Sequence, residues 1–553
     1  MKKLPSGIQV FEDIITDNYV YVDKTKYLVE LIEKGKIYFY ARPRRFGKTL
    51  TISTLKAMFE GRKDLFKGLY AEALMHRPDF KPCPVIRLDM SMPATSAGLD
   101  YLHKSMKLLV IDCADDLGIS IPDGYNASDS LKYLIKSACE KYGERVAVLI
   151  DEYDKPYTDF FTEPDKAAKI REMLRDFYVQ LKANEDYIRF VFITGISKFT
   201  KMGVFSTLNN LTDVSMMPEF GEMCGMTEAE IAGNFPEQLD DAAKKFNISR
   251  EELIGKMRNY YDGFSFDGIH RLYNPYSTIQ FLFQKDFKNY WMTSGGQLAV
   301  REYMKHRHLS LEQFRDVQVS KNFLDMPGDM DTTSPEGFFY QSGYLSIREG
   351  RTDDYSLDFP NSEVLDAMSA LLAENLAEEK GETFFNFRND ILTSLYYQNT
   401  GLLIDVMNRF LSSIPYDDFA MAARQSINSQ NLKMTVNEWL YRSNLLAFFR
   451  GSGVLTFGEM HSNKGRSDIV LSNKGRTFIL ELKVAFKSEN VEQKAEEALS
   501  QITNNHYASP YPGAISIGIA IDDEQKAIGA WKKSHFPCTP QNNPLPLPSQ
   551  VKN

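Results

Sequence analysis

Three residues, Gly47-Lys48-Thr49, sit inside the stretch KIYFYARPRRFGKTLTISTLKAMF, residues 36–59. A glycine, an ammonium and a hydroxyl at that spacing suit a polyphosphate. Backbone N–H groups of Arg45, Phe46, Gly47, Lys48, Thr49 and Leu50, at the start of a helix, would wrap the β-phosphate. Lys48 would reach the β- and γ-oxygens, and the Thr49 hydroxyl would bind Mg²⁺. The pattern GxxxxGK[ST] wants glycine at 42, where this chain has Arg42. With Arg44 and Arg45 that makes an unusually basic loop, and a basic surface turn that happens to contain GKT is the competing reading.

A second group supports the first. RVAVLIDEYDKP, residues 145–156, is an apolar run ending in Asp151-Glu152. The first acid would hold Mg²⁺ through water, and the second would polarise an attacking water. A solvated acidic turn is the plain alternative. In YIRFVFITGISKF, residues 187–199, the first polar side chain near the strand end is Thr194. It could sense the γ-phosphate or merely cap the strand.

A third group lies far downstream. GRSDIVL carries Asp468, and GRTFILELKVAF carries Glu481 and Lys483. Strand alternation puts Phe478, Leu480 and Leu482 on one face and Ile479, Glu481 and Lys483 on the other. Two carboxylates and an intervening carbonyl make an all-oxygen site for Mg²⁺ or Mn²⁺. Lys483 could orient a water or stabilise pentavalent phosphate charge. Glu438, in VNEWLYRSNLLAFF, shares a helix face with Leu445 and Phe449. A carboxylate on a partly apolar stripe needs a metal or a partner, and Arg442 at i+4 is an available partner.

These residues need particular elements beneath them. Ile37 to Ala41 reads as a strand buried on both faces, and Leu50, Ile52, Leu55, Met58 and Phe59 have helical spacing. Acids at the carboxyl ends of parallel strands lie beside the phosphate loop in α/β sheets. PVIRLDM, residues 84–90, adds another strand. Residues 225–285 read as helical, with Thr227 an N-cap. YYDGFSFDG, residues 260–268, reads as an aromatic surface hairpin. Residues 300–330 look helical and polar. Strands at 344–348 and 355–359, then a helix near 360, suit a winged-helix-like module. Its acidic tip favours a coupling role over DNA contact. Downstream the order is helix 431–450, strands 454–461, 466–472 and 477–483, helix 488–505 and strand 514–521.

Length and composition set limits. A chain of 553 residues is too long for one core. Its formal charge of -9 excludes a global basic field, so any nucleic-acid contact must be local. Five scattered cysteines without a CxxC pair predict reduced thiols in a cytoplasmic protein. No leader and no membrane span are expected. His306 and His308, two residues apart, read as a solvated helix start. The last 18 residues contain five prolines and read as disordered.

YVDKTKYLVELI, RPRRFGKTL, LIDEYDKP, FITGISKF, FSTLNNLTDVS and YDGFSFDGIHRLYNPYS follow one another in this order. The series resembles the bacterial AAA-ATPase-like family, over most of residues 1–290. Members usually carry a PD-(D/E)XK nuclease-like domain at the C-terminus, and the downstream αβββαβ order is similar to that core. In that family the loop commonly begins with glycine at the position of Ala41, where this chain departs. The resemblance implies metal and catalytic roles for Asp468, Glu481 and Lys483. It also implies a role for Glu438 as the glutamate of the first helix, and for Gln501, where the family often carries QI..Y.

The expected fold is α/β: a P-loop ATPase domain over 1–285, a helical or winged-helix-like connector over 286–405, a restriction-endonuclease-like domain over 406–535 and a tail over 536–553. The expected function is ATP and Mg²⁺ binding, with hydrolysis, coupled to metal-dependent cleavage of DNA or RNA. A homo-oligomer is compatible with this. One alternative is an ATP-driven signalling or assembly switch whose nuclease fold only binds nucleic acid or protein. Another is a kinase-like phosphotransferase.

Overall fold

The computed structural model describes the chain apart from residues 1, 94–97, 161–162, 197, 199–203, 206–207, 209, 295–296, 306, 308, 326–332, 352–353, 379–383, 413–435, 463–464, 474 and 537–553. The expectations for His306, His308 and residues 537–553 of the tail lie outside the described residues. The chain divides into two compact units. The first comprises Met1–Tyr303 and Phe314–Leu365, the second Met304–Gln313 and Asp366–Asn553.

The first unit is built on a parallel sheet of β1 (Ile37–Ala41), β2 (Val85–Asp89), β3 (Val146–Asp151), β4 (Ile188–Gly195) and β5 (Thr212–Asp213), in the order β2-β3-β4-β1-β5. Every residue of β1 and β3 is buried, as expected of strands covered on both faces. The register pairs Ala41 with Gly195 and Asp89 with Asp151. The carboxyl ends that carry the candidate acids therefore form one rim. Helix α1 (Lys48–Phe59) leaves β1 through Gly47, whose φ of +103° is open to glycine and strained for other residues. It buries Ile52, Leu55, Met58 and Phe59.

Helices Glu228–Asn234, Pro236–Phe246, Arg250–Tyr261 and α2 (Pro275–Gln284) follow. Thr227 and Ser249 each close a capping box, with Glu230 and Glu252. Phe235, Leu239, Leu253, Met257 and Phe281 make their common core.

The segment expected as a surface hairpin is instead interior. Tyr261 and Phe264 are 0% exposed, and Ser265, Phe266 and Asp267 are buried. Phe264 and Phe266 meet the ring of Phe46 edge-on, at 4.9 and 5.4 Å between centroids. Each such pair adds about 0.5–1.5 kcal/mol beyond burial. The aromatic run was readable as apolar, but its partner in the phosphate loop is some two hundred residues away.

A small antiparallel sheet of β6 (Val317–Ser320), β7 (Ser346–Arg351) and β8 (Asp354–Asp358) has the order β6-β8-β7. The β7–β8 hairpin matches expectation. Strand β6 does not: it falls in a stretch expected to be helical. Only four residues long, it is recruited by pairing with β8.

In the second unit, helix α3 (Val436–Gly451) leads to β9 (Leu455–Ser462), β10 (Gly465–Asn473) and β11 (Arg476–Ala485). Helix α4 (Val491–Asn504), β12 (Ile515–Asp522) and β13 (Ala527–His535) complete it. The sheet order is β13-β12-β11-β10-β9, with only the β11–β12 pair parallel. The expected αβββαβ order holds, extended by edge strand β13, which sequence reading missed. One core unites Phe410, Phe448, Ile469, Phe478, Leu480, Leu482 and Ile517. On the opposite face Val470 and Ile479 pack with Ile502 and Tyr507, so the predicted alternation of β11 is real.

Gly518 sets how close α4 comes. A Cβ there would lie 2.2 Å from the Leu499 nitrogen and 2.4 Å from the Ala495 oxygen. Gly518 pairs with Glu481 in the β11–β12 ladder, which brings α4 down over that carboxylate.

Among the described residues no helix is long and apolar enough to cross a membrane. Cys83, Cys113, Cys139 and Cys224 are free thiols.

Candidate active sites

The first site forms at the β1–α1 loop. Lys48 is 5% exposed, and its Nζ donates to the carbonyls of Arg42 at 2.9 Å and Pro43 at 3.0 Å. Burial pushes the ammonium below its ordinary range, opposed by the charges of Glu152 and Asp151. Asp151, 1% exposed, accepts at Oδ1 from the Thr194 hydroxyl at 2.6 Å and from the Glu152 nitrogen at 3.1 Å. Thr194 is thus brought onto Asp151, where it orients one carboxylate oxygen. Glu152 is half-buried, and burial raises its carboxyl against the pull of Lys48.

Arg45 and Glu152 both adopt left-handed backbone, φ +63° and +51°. That conformation costs an ordinary residue about 1–2 kcal/mol. Strain of this kind gathers where a loop must hold one shape.

A cavity of about 620 Å³ opens over the loop. Arg45, Gly47, Lys48, Thr49 and Glu152 line one wall. Ile8, Val20, Tyr276 and Ile279 line the other. The Arg45 guanidinium lies 3.9 Å from the centroid of Tyr276, and Gln280 Nε2 donates to Ser6 Oγ at 2.7 Å. Sequence reasoning missed this second wall. Its one local signal is Asn274-Pro275, a capped helix start in which the Asn274 side chain accepts from the Ser277 nitrogen.

The second site joins β10, β11, α3 and α4. Asp468 Oδ2 accepts from the Leu482 nitrogen at 2.8 Å, and Glu481 Oε2 accepts from the Asp468 nitrogen at 3.3 Å. The two carboxylates therefore brace each other's strands. Gln501 Nε2 donates to Glu481 Oε1. Lys483 Nζ lies 3.8 Å from Glu438 Oε1, and Arg442 Nη1 lies 3.8 Å from Asp468 Oδ1. Asp468, Glu481, Lys483, Glu438 and Gln501 are brought together as predicted residues. The sequence puts Arg442 beside Glu438 alone; its approach to Asp468 is visible only in the fold.

Burial raises the Glu481 carboxyl far above its ordinary range, and the Asp468 charge beside it adds to this. Burial also raises Glu438, against the charge of Lys483. Two buried, mutually repelling carboxylates suit a hard divalent cation. Among the described residues no group of three or more His, Cys, Asp and Glu forms a closed metal cage. Magnesium is commonly held by one or two carboxylates, with water and substrate oxygens completing its shell, so the donor set fits.

A family described as "Predicted AAA-ATPase" matches residues 5–205, and one described as "PD-(D/E)XK nuclease superfamily" matches residues 436–531. An Azotobacter chroococcum mcd 1 protein described as "Uncharacterized protein in vnfD 5'region" is 32% identical over 519 residues, covering 92% of this chain and 94% of its own. The chain belongs to the predicted AAA-ATPase family. This AAA-ATPase-like protein carries a nuclease-superfamily domain at its C-terminal end.

Among solved structures it is similar to Cdc6p from Pyrobaculum aerophilum, at 12% identity and TM-score 0.26, covering 66% of this chain and 98% of that one. It is also similar to the ORC2 protein of Aeropyrum pernix, in ADPNP–ADP complexes, at 12% identity and TM-score 0.25 over 66% and 94%. Likeness at that level carries no inference about this chain.

Proposed function

We propose that the first unit binds and hydrolyses ATP, that the second cleaves phosphodiester bonds in DNA or RNA, and that the nucleotide state of the first gates the second. The observation that carries this reading is that lysine and carboxylate converge separately in each unit. Lys48 and Glu152 line one cavity. In the other unit Asp468 and Glu481 are braced together while Lys483 stands on the same strand face as Glu481.

In the first unit Lys48 keeps its two backbone carbonyls and turns its third N–H to the β- and γ-phosphate oxygens. Thr49 and Asp151 would hold Mg²⁺, which offsets triphosphate charge when bound. Glu152 would polarise a water, its raised affinity for a proton suiting a base. The second wall, with Tyr276 and Ile279, offers the apolar surface a base requires.

In the second unit Asp468 and Glu481 would hold Mg²⁺ or Mn²⁺, which supplies Lewis-acid charge to a phosphate oxygen when bound. Gln501 fixes the Glu481 carboxylate. Lys483 orients a water or meets charge on the phosphate, with Glu438 holding its ammonium. Arg442 balances the Asp468 charge.

The test uses plasmid, single-stranded DNA and RNA with Mn²⁺, with and without ATP. Cleavage of one substrate, responsive to ATP and absent in Asp468→Ala, is expected. Cleavage that persists in Asp468→Ala would refute the assignment. ATP turnover without cleavage of any substrate would favour the switch reading instead.

A further inference from the structure

Arg42 stands where glycine opens the common phosphate-loop pattern, and it faces inward. It is 1% exposed. Its Nη1 donates to the carbonyls of Ala41 at 2.9 Å and Ser215 at 2.7 Å, and its Nη2 to that of Gly221 at 3.3 Å. The guanidinium carbon lies 4.2 Å from the ring centroids of both Tyr40 and Phe266. A planar cation is thus held between two aromatic faces, and its two Nη groups donate to three carbonyls. A lysine could not do both at once, since its ammonium is a point charge without a fork or a plane.

The backbone of Arg42 does something else. Its carbonyl accepts from Lys48 Nζ at 2.9 Å. The side chain therefore fixes the residue whose oxygen holds the loop lysine.

Three distant segments meet at this pin. The Ala41 nitrogen donates to Ser215 Oγ at 2.9 Å. Gly221 has no room for a side chain: a Cβ would lie 2.2 Å from Asp267 Oδ2 and 2.8 Å from His270 Nδ1. Those two atoms are themselves 2.6 Å apart. On the other side of the buried aromatic segment, the Ser265 nitrogen donates to Ser346 Oγ at 2.6 Å, and the Ile347 nitrogen donates to the Ser265 carbonyl at 3.3 Å. Arg42 is anchored to this segment through Phe266, and Phe46 packs on it from within the loop.

We propose that Arg42 is a positioning residue for the triphosphate: pinned between Tyr40 and Phe266, it sets the backbone carbonyls that aim Lys48, in place of the usual loop glycine. This rests on the nucleotide reading of the first unit. Because it acts through Lys48, its effect falls on the β- and γ-phosphates and not on the nucleoside.

The test is Arg42→Lys in the full chain, titrated with ATP and with AMP, which lacks the phosphates that Lys48 reaches. ATP affinity is expected to fall at least about tenfold, about 1.4 kcal/mol, with AMP affinity changed less than about twofold. Equal losses for ATP and AMP would make Arg42 a general scaffold and overturn the proposal, as would unchanged ATP binding. Should Arg42→Lys fail to fold, Phe266→Leu removes one stacking ring while keeping the arginine, and the same ATP-to-AMP comparison decides. Absence of ATP binding in the wild-type protein would overturn the nucleotide reading and this proposal together. Wild-type binding that Arg42→Lys and Phe266→Leu both leave intact overturns this proposal alone.

Discussion

Lys48 and Lys483 stand in opposite surroundings. Lys48 is nearly sealed and donates to two backbone carbonyls. Lys483 is half-buried, 3.8 Å from the carboxylate of Glu438. Their acidic companions differ in the same way. Asp151 and Glu152 are consecutive at one strand end, whereas Asp468 and Glu481 come from two antiparallel strands. The first arrangement is local and lies beneath a walled cavity, which suits a small ligand. The second depends on a ladder register: a slip by one residue would turn Asp468 or Glu481 to the other face. Local motifs keep a site through sequence, while ladder sites keep it through pairing.

The strongest way to break this comparison is to remove one anchor from each unit. Lys48→Ala is expected to lower ATP turnover on the order of a hundredfold to a thousandfold. Asp468→Ala should leave ATP turnover within about twofold while abolishing cleavage. Steady-state phosphate release checks both, and a large ATPase loss in Asp468→Ala would dissolve the distinction between the sites.

A smaller effect is expected at Gln501, whose amide holds the Glu481 carboxylate. Gln501→Ala should weaken Mn²⁺-dependent cleavage about tenfold to a hundredfold, with the loss partly recovered at high Mn²⁺. Loss that no Mn²⁺ concentration recovers would place Gln501 elsewhere in the reaction. Its counterpart in the first unit is Thr194. Thr194→Val removes the hydroxyl that donates to Asp151 and should slow ATP turnover about tenfold, the scale of about 1.4 kcal/mol for a hydrogen bond to a charged group. Unchanged turnover would mean that Thr194 only finishes the strand.

The smallest effect separates the units by pH. Burial pushes the Asp366 carboxyl up to about 6, against the pull of Arg450. The folded state then holds a proton more tightly than the unfolded one, so this contribution is present below the ordinary aspartate value and is lost as pH rises through about 6. The second unit should melt a few degrees lower at about pH 7 than at about pH 5 from this group. Asp366→Asn should flatten that part of the profile. Calorimetry across this range checks it, and an unchanged slope in Asp366→Asn would remove Asp366 as the cause.

The parts legible in sequence share one property: their signal is short-range. The strand Ile37–Ala41, the Gly47 turn and helix α1 follow from adjacent residues. Glu481 and Lys483 share a face through a period of two. The N-cap at Thr227 was readable for the same reason. What was not legible required chain returning from far away. Phe264 and Phe266 bury themselves because Phe46 and Arg42 meet them. Ile8 and Tyr276 share a cavity wall although more than two hundred residues separate them. Arg442 stands at i+4 from Glu438 on one helix, but Asp468 reaches it from strand β10. Strands β6 and β13 form at sheet edges, where the pairing partner decides more than intrinsic preference.

The most direct test of two separate phosphate-handling sites measures phosphate release and strand cleavage in one reaction containing ATP and Mn²⁺. Wild type, Lys48→Ala and Asp468→Ala are compared side by side. The account predicts that Asp468→Ala releases phosphate without cutting, and that Lys48→Ala releases it on the order of a hundredfold to a thousandfold more slowly than wild type. Cutting by Asp468→Ala, or undiminished phosphate release by Lys48→Ala, would contradict it.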